Sequence, residues 1–377
     1  MAIWSFPTKI VFGVGEVDRS GDEARALGVA RALVVTDAGV RRAGLLEPVL
    51  AALSAAGVEA AVFDGVSSNP TEAEIEAGAE AYAAHGADGL VAVGGGSPID
   101  AAKLVGVRTR SARSWEELDD AQGGGQYVPR ELPPVIALPT TSGTGSEVGR
   151  AAVLTVKSTQ RKTVVFAPVM LPKVAILDPA LTASMPPAIT AATGFDALTH
   201  CIEAYLALGD HPMADAIAVA GIDRVVGHLP RAVEQGSDLE ARGALMKAAM
   251  MGAVAFQKGL GACHSLAHPL SSDFGLHHGL ANALCLPAVL DFNEHSALER
   301  VLHVALLLGA DAVPGGAARA TAALRSRVGL PGGLGAAGVP ASALGTLADK
   351  ALDDACHRDN PRPCTRADLL ELYRASL

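Results

Sequence analysis

The chain has 377 residues, half of them hydrophobic and 19% charged, with a formal net charge of −10. That length is enough for two domains with sizeable cores, and the composition leaves no room for a long disordered tail. The acidic balance argues against nucleic acid or an anionic membrane as partner, and no apolar run reaches the roughly 18 residues a membrane span needs. The N-terminal stretch lacks a basic segment followed by an apolar one, so no signal peptide is expected. All five cysteines (Cys201, Cys263, Cys285, Cys356, Cys364) lie in the second half and none forms a CxxC pair, which fits a reducing cytoplasm.

The first half alternates strand and helix patterns. A β-like run at 9–12 is followed by Gly13 and Gly15, a GxG that lacks the third glycine of a dinucleotide fingerprint because Asp18 stands there. Residues 32–36 predict a strand ending at Asp37, 40–56 a helix, 60–63 a strand, 72–86 a helix and 88–93 a strand. Such alternation predicts a parallel sheet with helices on its faces and ligands at the strands' carboxyl ends. The last of these strands runs into Gly94-Gly95-Gly96-Ser97-Pro98-Ile99-Asp100. Three glycines permit close approach of a ligand. Ser97 suits an N-cap, Pro98 the first helical position and Asp100 a capping-box spacing. Free amides at such a helix start bind pyrophosphate. Asp37 is placed to accept from adenosine ribose hydroxyls and to repel a 2′-phosphate, or simply to cap a helix. Asn69-Pro70 forms a loop at another strand end.

Residues 109–133 predict an irregular surface excursion. A strand at 135–138 then enters a hydroxyl-rich loop, 139–147, with Thr140, Thr141, Thr144, Gly143 and Gly145. Residues 152–156 and 162–166 predict a two-strand excursion in which Lys162 reaches a ribose or phosphate or is simply solvated. A last strand is expected at 174–177. Met185-Pro186-Pro187 marks a boundary between domains 1–184 and 185–377. Beyond it only helical periods appear, at 187–207, 212–234, 238–256, 281–291, 296–308, 317–327, 341–354 and 366–375. Ten of the eleven histidines lie there.

Asp196 and His200 stand four residues apart, hence on one helix face. His264, His268 and His278 arrive from a second segment. A carboxylate with imidazoles suits a mononuclear divalent metal such as iron or zinc. Spacing alone leaves open whether His264 or His268 is a ligand, and His277 beside His278 is a further competitor. A catalytic Cys263 is the weaker alternative to a buried, inert thiol.

The residues FGVGEV (12–17), VVTD (34–37), SSNPT (67–71), GGGSPIDAAK (94–103), LPTTSGTGSEV (138–148), LDPALTASMPPAITAATGFDALTHCIEAY (177–205) and HSLAHPLSSDFGLHHGLANALCLP (264–287) resemble the iron-containing (group III) alcohol dehydrogenases. The pattern is close to that of the lactaldehyde/1,2-propanediol oxidoreductases, and it spans essentially the whole chain. The resemblance implies an α/β Rossmann-like N-terminal domain plus an all-α C-terminal domain, the dehydroquinate synthase-like architecture. It implies Asp196, His200, His264 and His278 as ligands of Fe2+, with Zn2+ as the other choice, and His268 as a proton relay. It further implies NAD rather than NADP, with pyrophosphate on Gly95, Gly96 and Ser97 and ribose on Asp37. Asn69, Asp100, Thr140, Thr141, Thr144 and Lys162 map to the family's cofactor lining. His277 stands where relatives often have Pro.

The implied activity is reversible hydride transfer between a small alcohol or aldehyde and NAD(H), in a homodimer or larger homo-oligomer. Cytoplasmic location is expected, with no nucleic-acid or membrane partner. Phosphate-substrate enzymes of the same architecture, such as glycerol-phosphate dehydrogenases or dehydroquinate synthase-like lyases, would bring Lys or Arg near the metal segment; 259–287 has neither. Maleylacetate reductases, whose known members do without the metal, are disfavoured by the intact ligand set. A non-catalytic binding oligomer is the remaining rival.

Overall fold

The computed structural model describes residues 6, 8–158 and 162–377, which divide into two compact units. One comprises Phe6–Thr141 and Gly145–Ser184; the other takes in Met185–Leu377 together with Ser142–Thr144.

The first unit is built on six parallel strands, β1 (Lys9–Phe12), β2 (Arg31–Val35), β3 (Glu59–Phe63), β4 (Gly89–Gly94), β5 (Val135–Pro139) and β8 (Val174–Leu177), in the order β1-β8-β5-β4-β2-β3. Every residue of β4 is buried, as expected of an apolar strand covered on both faces. Helices α1 (Ser20–Ala26), α2 (Ala38–Arg42), α3 (Glu47–Ala55), α4 (Glu72–His85) and α5 (Gly96–Arg108) connect the early strands. The chain leaves β2 outward to β3, then returns to β4 on the other side of β2. The order therefore reverses between β2 and β4, a switch point flanked by the loops that follow these two strands. β6 (Ala151–Thr155) and β7 (Lys162–Phe166) pair antiparallel, the expected excursion.

Three local expectations are corrected. The single helix expected at 40–56 is two, because Gly44 turns the chain at φ 72°. The excursion 109–133 is not confined to the surface: Trp115 and Leu118 are fully buried, and the Arg108 guanidinium lies 4.2 Å over the indole. A turn at 115–118, followed by short 3₁₀ helices, carries these anchors, so they leave no periodic signal. Ser97 does not cap α5; Gly95 is the N-cap, with no side-chain bond to the helix amides. The Ser97 hydroxyl donates instead to the Ser68 carbonyl at 2.8 Å and ties the 67–71 loop to the glycine turn. Asp100 is turned away from the capping role as well.

The second unit is helical: α6 (Pro187–Leu206), α7 (Pro212–Glu234), α8 (Leu239–Ala255), α9 (Ala262–Phe274), α10 (His278–Leu307), α11 (Gly316–Arg327), α12 (Leu344–Asp353) and α13 (Arg366–Ala375). α9 falls outside the periods expected from the pattern. It contains Pro269, which has no amide to donate and crowds the preceding turn, so its apolar period is short and broken. The two helices expected at 281–291 and 296–308 are present and meet at a kink at Ala297 (φ −137°, ψ 40°), so α10 is two helical segments joined without a loop.

α6 is the buried axis of this unit, with nearly every residue from Thr190 to Leu206 enclosed. Its neighbours approach closely because glycines face them. A Cβ on Gly194 would lie 2.3 Å from Leu229 of α7, one on Gly252 of α8 2.8 Å from the His200 Cβ, and one on Gly279 of α10 2.0 Å from the Ala192 carbonyl oxygen. Arg242 of α8, fully buried, donates to the Thr190 hydroxyl (2.7 Å) and to the Met185 and Gly236 carbonyls, pinning the start of α6. Because the Gly279 contact is to backbone, Gly279→Ala is expected to cost about 1–3 kcal/mol or more through overpacking. Urea denaturation of the metal-free protein reads this directly; unchanged stability would contradict the close α6–α10 crossing.

Candidate functional site

In the α/β unit the glycine turn and Asp37 follow β4 and β2, the two strands that flank the switch point. Gly94 (φ 154°) ends β4, and a Cβ there would lie 2.5 Å from the Pro98 ring. Gly95 passes beside Thr141, whose hydroxyl would be 3.2 Å from an added Cβ. The first turn of α5 carries no acidic residue and no side-chain cap, so its amides are left for an anion. Asp37 ends the β2 connection and caps α2, with Oδ1 accepting from Gly39 (2.7 Å) and Val40 (2.9 Å). Thr140 is hydrogen-bonded to Gly94 through the backbone, 2.9 Å. Asn69 lies exposed in the loop that Ser97 holds, and Lys162 is exposed at the start of β7. Thr144 is exposed and belongs to the Ser142–Thr144 segment, which packs with the helical unit.

Asp100 has both oxygens engaged inside the protein, one accepting from the Ser146 hydroxyl (2.5 Å) and one from the Val153 amide (3.0 Å). Lys103, buried, donates to the Ser146 carbonyl and hydroxyl and to the Ala151 carbonyl at 2.7–2.9 Å. This network sets the backbone from 146 to 153. It lies one helical turn into α5, where Asp100 and Lys103 stand three apart.

In the helical unit Asp196, His200 and His264 are buried, with one ligating atom of each within 4.8 Å of the others. Asp196 and His200 share the inner face of α6; His264 comes from the first turn of α9 and His278 is the first residue of α10. His278 Nε2 lies 3.5 Å from Asp196 Oδ1. The rings of His200 and His264 stack at 4.7 Å, and those of His264 and His278 are 5.3 Å apart. The four sequence-predicted ligands thus converge. His277 is the exposed N-cap of α10, close enough to Asp196 for their charges to interact, and among the described residues it makes no ring contact with the other histidines.

The electrostatics follow from burial. Burial would raise the Asp196 pKa, but the surrounding imidazoles hold it below the ordinary carboxylate value. Burial pushes His200 down to about 4, against the pull of Asp196, and keeps His278 well below the usual imidazole range. His200 Nδ1 is enclosed with no well-formed hydrogen bond, although the Gly143 carbonyl nearby favours its protonated form. Two imidazoles that burial keeps neutral, a third (His264) whose pKa neighbouring carboxylates raise against burial, the Asp196 carboxylate and an orphaned ring nitrogen form a donor set that fits a divalent transition metal.

Three residues missed by the motif reading complete the surroundings. Glu203 accepts from His264 Nδ1 at 2.5 Å. Asn282, fully buried, places its amide nitrogen 2.9 Å from Asp196 Oδ1, 3.3 Å from His278 Nε2 and 3.5 Å from His264 Nε2. Asp354 accepts from His268 Nδ1 at 2.7 Å and from the Ser265 hydroxyl at 2.8 Å. Although burial opposes it, the His268 bond holds Asp354 well below the carboxylate range. The first two were recoverable from helical spacing, since Glu203 follows Asp196 and His200 by seven and three positions and Asn282 follows His278 by four. Asp354 carries no local signal. His268 itself is partly exposed, its ring stacked 5.2 Å from His278. Cys263 is fully buried and donates to the Asn282 carbonyl; burial raises its thiol well above the usual range, which removes it as a nucleophile.

Comparison with known proteins finds relatives in both sequence and fold. A family model described as "Iron-containing alcohol dehydrogenase" matches residues 7–179, and one described as "Fe-containing alcohol dehydrogenase family, C-terminal" matches 190–377. A 4-hydroxybutyrate dehydrogenase from Cupriavidus necator is 42% identical, with all of both chains covered. A crystal structure of a 1,3-propanediol oxidoreductase superposes with a TM-score of 0.96 at 34% identity, covering 100% of each chain. A sulfoacetaldehyde reductase from Bifidobacterium kashiwanohense, solved in complex with NAD+, has a TM-score of 0.91 at 31% identity, covering 100% of this chain and 99% of that one.

The hydroxyl-loop network also generates a pH effect. Burial raises the Glu147 pKa from 4.5 to about 7, with Lys103 opposing. The native state therefore holds a proton that the unfolded chain releases earlier. The associated stability is full below 4.5 and is lost as pH rises through about 7. Glu147→Gln cannot undergo this loss. Its Tm relative to the parent chain is expected to climb between pH 5 and pH 8, as followed by circular dichroism; a constant difference would contradict the raised pKa.

Proposed function

Since the chain belongs to the iron-containing alcohol dehydrogenase family, and so is an alcohol and aldehyde oxidoreductase, we propose that it passes hydride reversibly between a small primary alcohol and NAD(H) with Fe2+, or Zn2+ in its place. The convergence of Asp196, His200 and His264 within 4.8 Å carries this reading, with His278 completing the set. When bound, the metal supplies Lewis acidity, which acidifies an alcohol and polarises a carbonyl. Asp196, His200, His264 and His278 would hold it. Asn282 keeps Asp196 in place through the 2.9 Å bond.

His268 donates Nδ1–H to Asp354, which leaves Nε2 as the nitrogen that exchanges a proton with the substrate hydroxyl. Gly95, Gly96 and Ser97 would cradle the pyrophosphate at the α5 amides. Asp37 has Oδ2 left for the ribose, and its charge disfavours a 2′-phosphate. Asn69, Thr140, Thr141, Thr144 and Lys162 would line the remainder, with Asp100 acting through the backbone it holds. The five cysteines are all free, in keeping with a reducing cytoplasm, and no helix among the described residues is long and apolar enough to cross a membrane. Assembly as a homodimer or larger homo-oligomer is part of the proposal. It is supported by the sheet-edge position of β1 and the exposed Val14 that follows it.

His264→Ala is expected to lose bound metal and drop aldehyde-dependent NADH oxidation at 340 nm to background while still binding NADH. A metal-free, fully active variant would refute the mechanism. A panel of short alcohols and aldehydes, assayed on the parent chain, should include 4-hydroxybutyrate, the substrate named for a 42% identical relative. Asp37→Gly should raise the NADPH to NADH ratio of kcat/KM by about tenfold, equivalent to ~1.4 kcal/mol; an unchanged ratio would remove Asp37 from cofactor selection.

A further inference from the structure

We infer that Glu203 is the positioning residue of the metal centre: it locks His264 with Nε2 toward the metal and supplies the second negative charge that a buried dication needs. The inference rests on the metal reading of Asp196, His200, His264 and His278.

Glu203 lies on the inner stripe of α6, one turn beyond His200, and is 2% exposed. Its Oε2 accepts from His264 Nδ1 at 2.5 Å and from the His264 amide at 3.4 Å, while Oε1 accepts from the Cys263 amide at 2.7 Å. Cys263 and His264 are the second and third residues of α9, whose N-cap, Gly261, has no side chain to offer. Glu203 thus caps α9 from another helix and grips the imidazole that the helix carries. A free helix N-terminus favours a carboxylate, so the two tasks reinforce each other.

Glycine at 261 is what permits this arrangement. A Cβ there would lie 2.7 Å from Glu203 Oε1 and 2.9 Å from Asn360 Oδ1, which accepts from the Ala262 amide. A conventional capping side chain would push the carboxylate away.

With Nδ1 committed to Glu203, the only nitrogen His264 can offer is Nε2. That atom faces the ligand group, 3.5 Å from the Asn282 amide nitrogen that also contacts Asp196 and His278. A carboxylate hydrogen-bonded to the far nitrogen of a ligating histidine fixes its tautomer and raises its basicity. Charge points the same way. Asp196 alone leaves a buried divalent ion half compensated, and Glu203, through the ring it holds, brings the local balance to neutrality.

Zn(II) competition against a colorimetric chelator tests this, with the parent chain, Glu203→Gln and Gly261→Ala. Both variants are expected to bind Zn(II) about 10–100-fold more weakly than the parent chain. They should also show a smaller rise in Tm on adding Zn(II). Equal affinity in the parent chain and Glu203→Gln would overturn the role of Glu203 while leaving the metal site standing. A parent chain that takes up no Zn(II) would overturn both. The Zn(II)-loaded parent chain gives a test that needs no variant to fold. Labelled with 15N-histidine, His264 should show a slowly exchanging, downfield Nδ1–H and a metal-bound Nε2; metal bound at Nδ1 would overturn the inference.

Discussion

Everything in the helical unit depends on how near other helices can come to α6. Asp196 and His200 are short side chains on a buried helix, and His264 and His278 sit on two different helices. The four can meet only if α10 passes almost in contact with α6 while α9 delivers His264 from its first turn, and α8 closes against the same helix. Glycine makes that possible at Gly252 and Gly279, where a single methyl group would meet the His200 Cβ at 2.8 Å and the Ala192 carbonyl at 2.0 Å. Close crossing without side chains is costly in conformational entropy for the unfolded glycine. What it yields is a small polar chamber inside an otherwise apolar helical core.

Such a chamber has to be satisfied internally. Each buried donor and acceptor needs a partner, and each charge a counter-charge. The carboxylates divide the work by position: Asp196 faces the imidazoles, Glu203 holds His264 from behind, and Asp354 holds His268 at the margin. His200 Nδ1 is the atom left without a well-formed bond. The chamber is therefore stable as a protein structure and incomplete as a set of hydrogen bonds, which is the condition expected of residues arranged to bind an ion.

The α/β unit solves a different problem, presenting bare backbone to an anion. Gly94 to Gly96 strip side chains from the end of β4, and α5 begins without acid or cap. The polar residues next in line, Asp100 and Lys103, do not face outward. They brace the 146–153 backbone, so the glycine turn and the hydroxyl loop are supported by one buried network. This is why the capping-box spacing misleads: the same residue types at the same spacing can serve a cap or a tertiary brace, and local sequence does not distinguish them.

What the sequence determined by itself was whatever depends on periodicity and residue chemistry. Alternating apolar runs specified the parallel sheet, the texture change at Met185 specified the helical half, and the DxxxH spacing put Asp196 and His200 on one face. The family resemblance pointed to His264 and His278 over their neighbours as the ligands to expect. Contacts between segments distant in the chain had to wait for the tertiary structure. α9 was masked by Pro269, and Trp115 was buried by turns that have no period. Asp354 reaches His268 across 86 positions, and no local pattern could announce it. Periodicity reports which side of an element is buried; only packing decides which buried groups face each other. In this protein that second decision selects Glu203, Asn282 and Asp354 as the groups that hold the histidines in place.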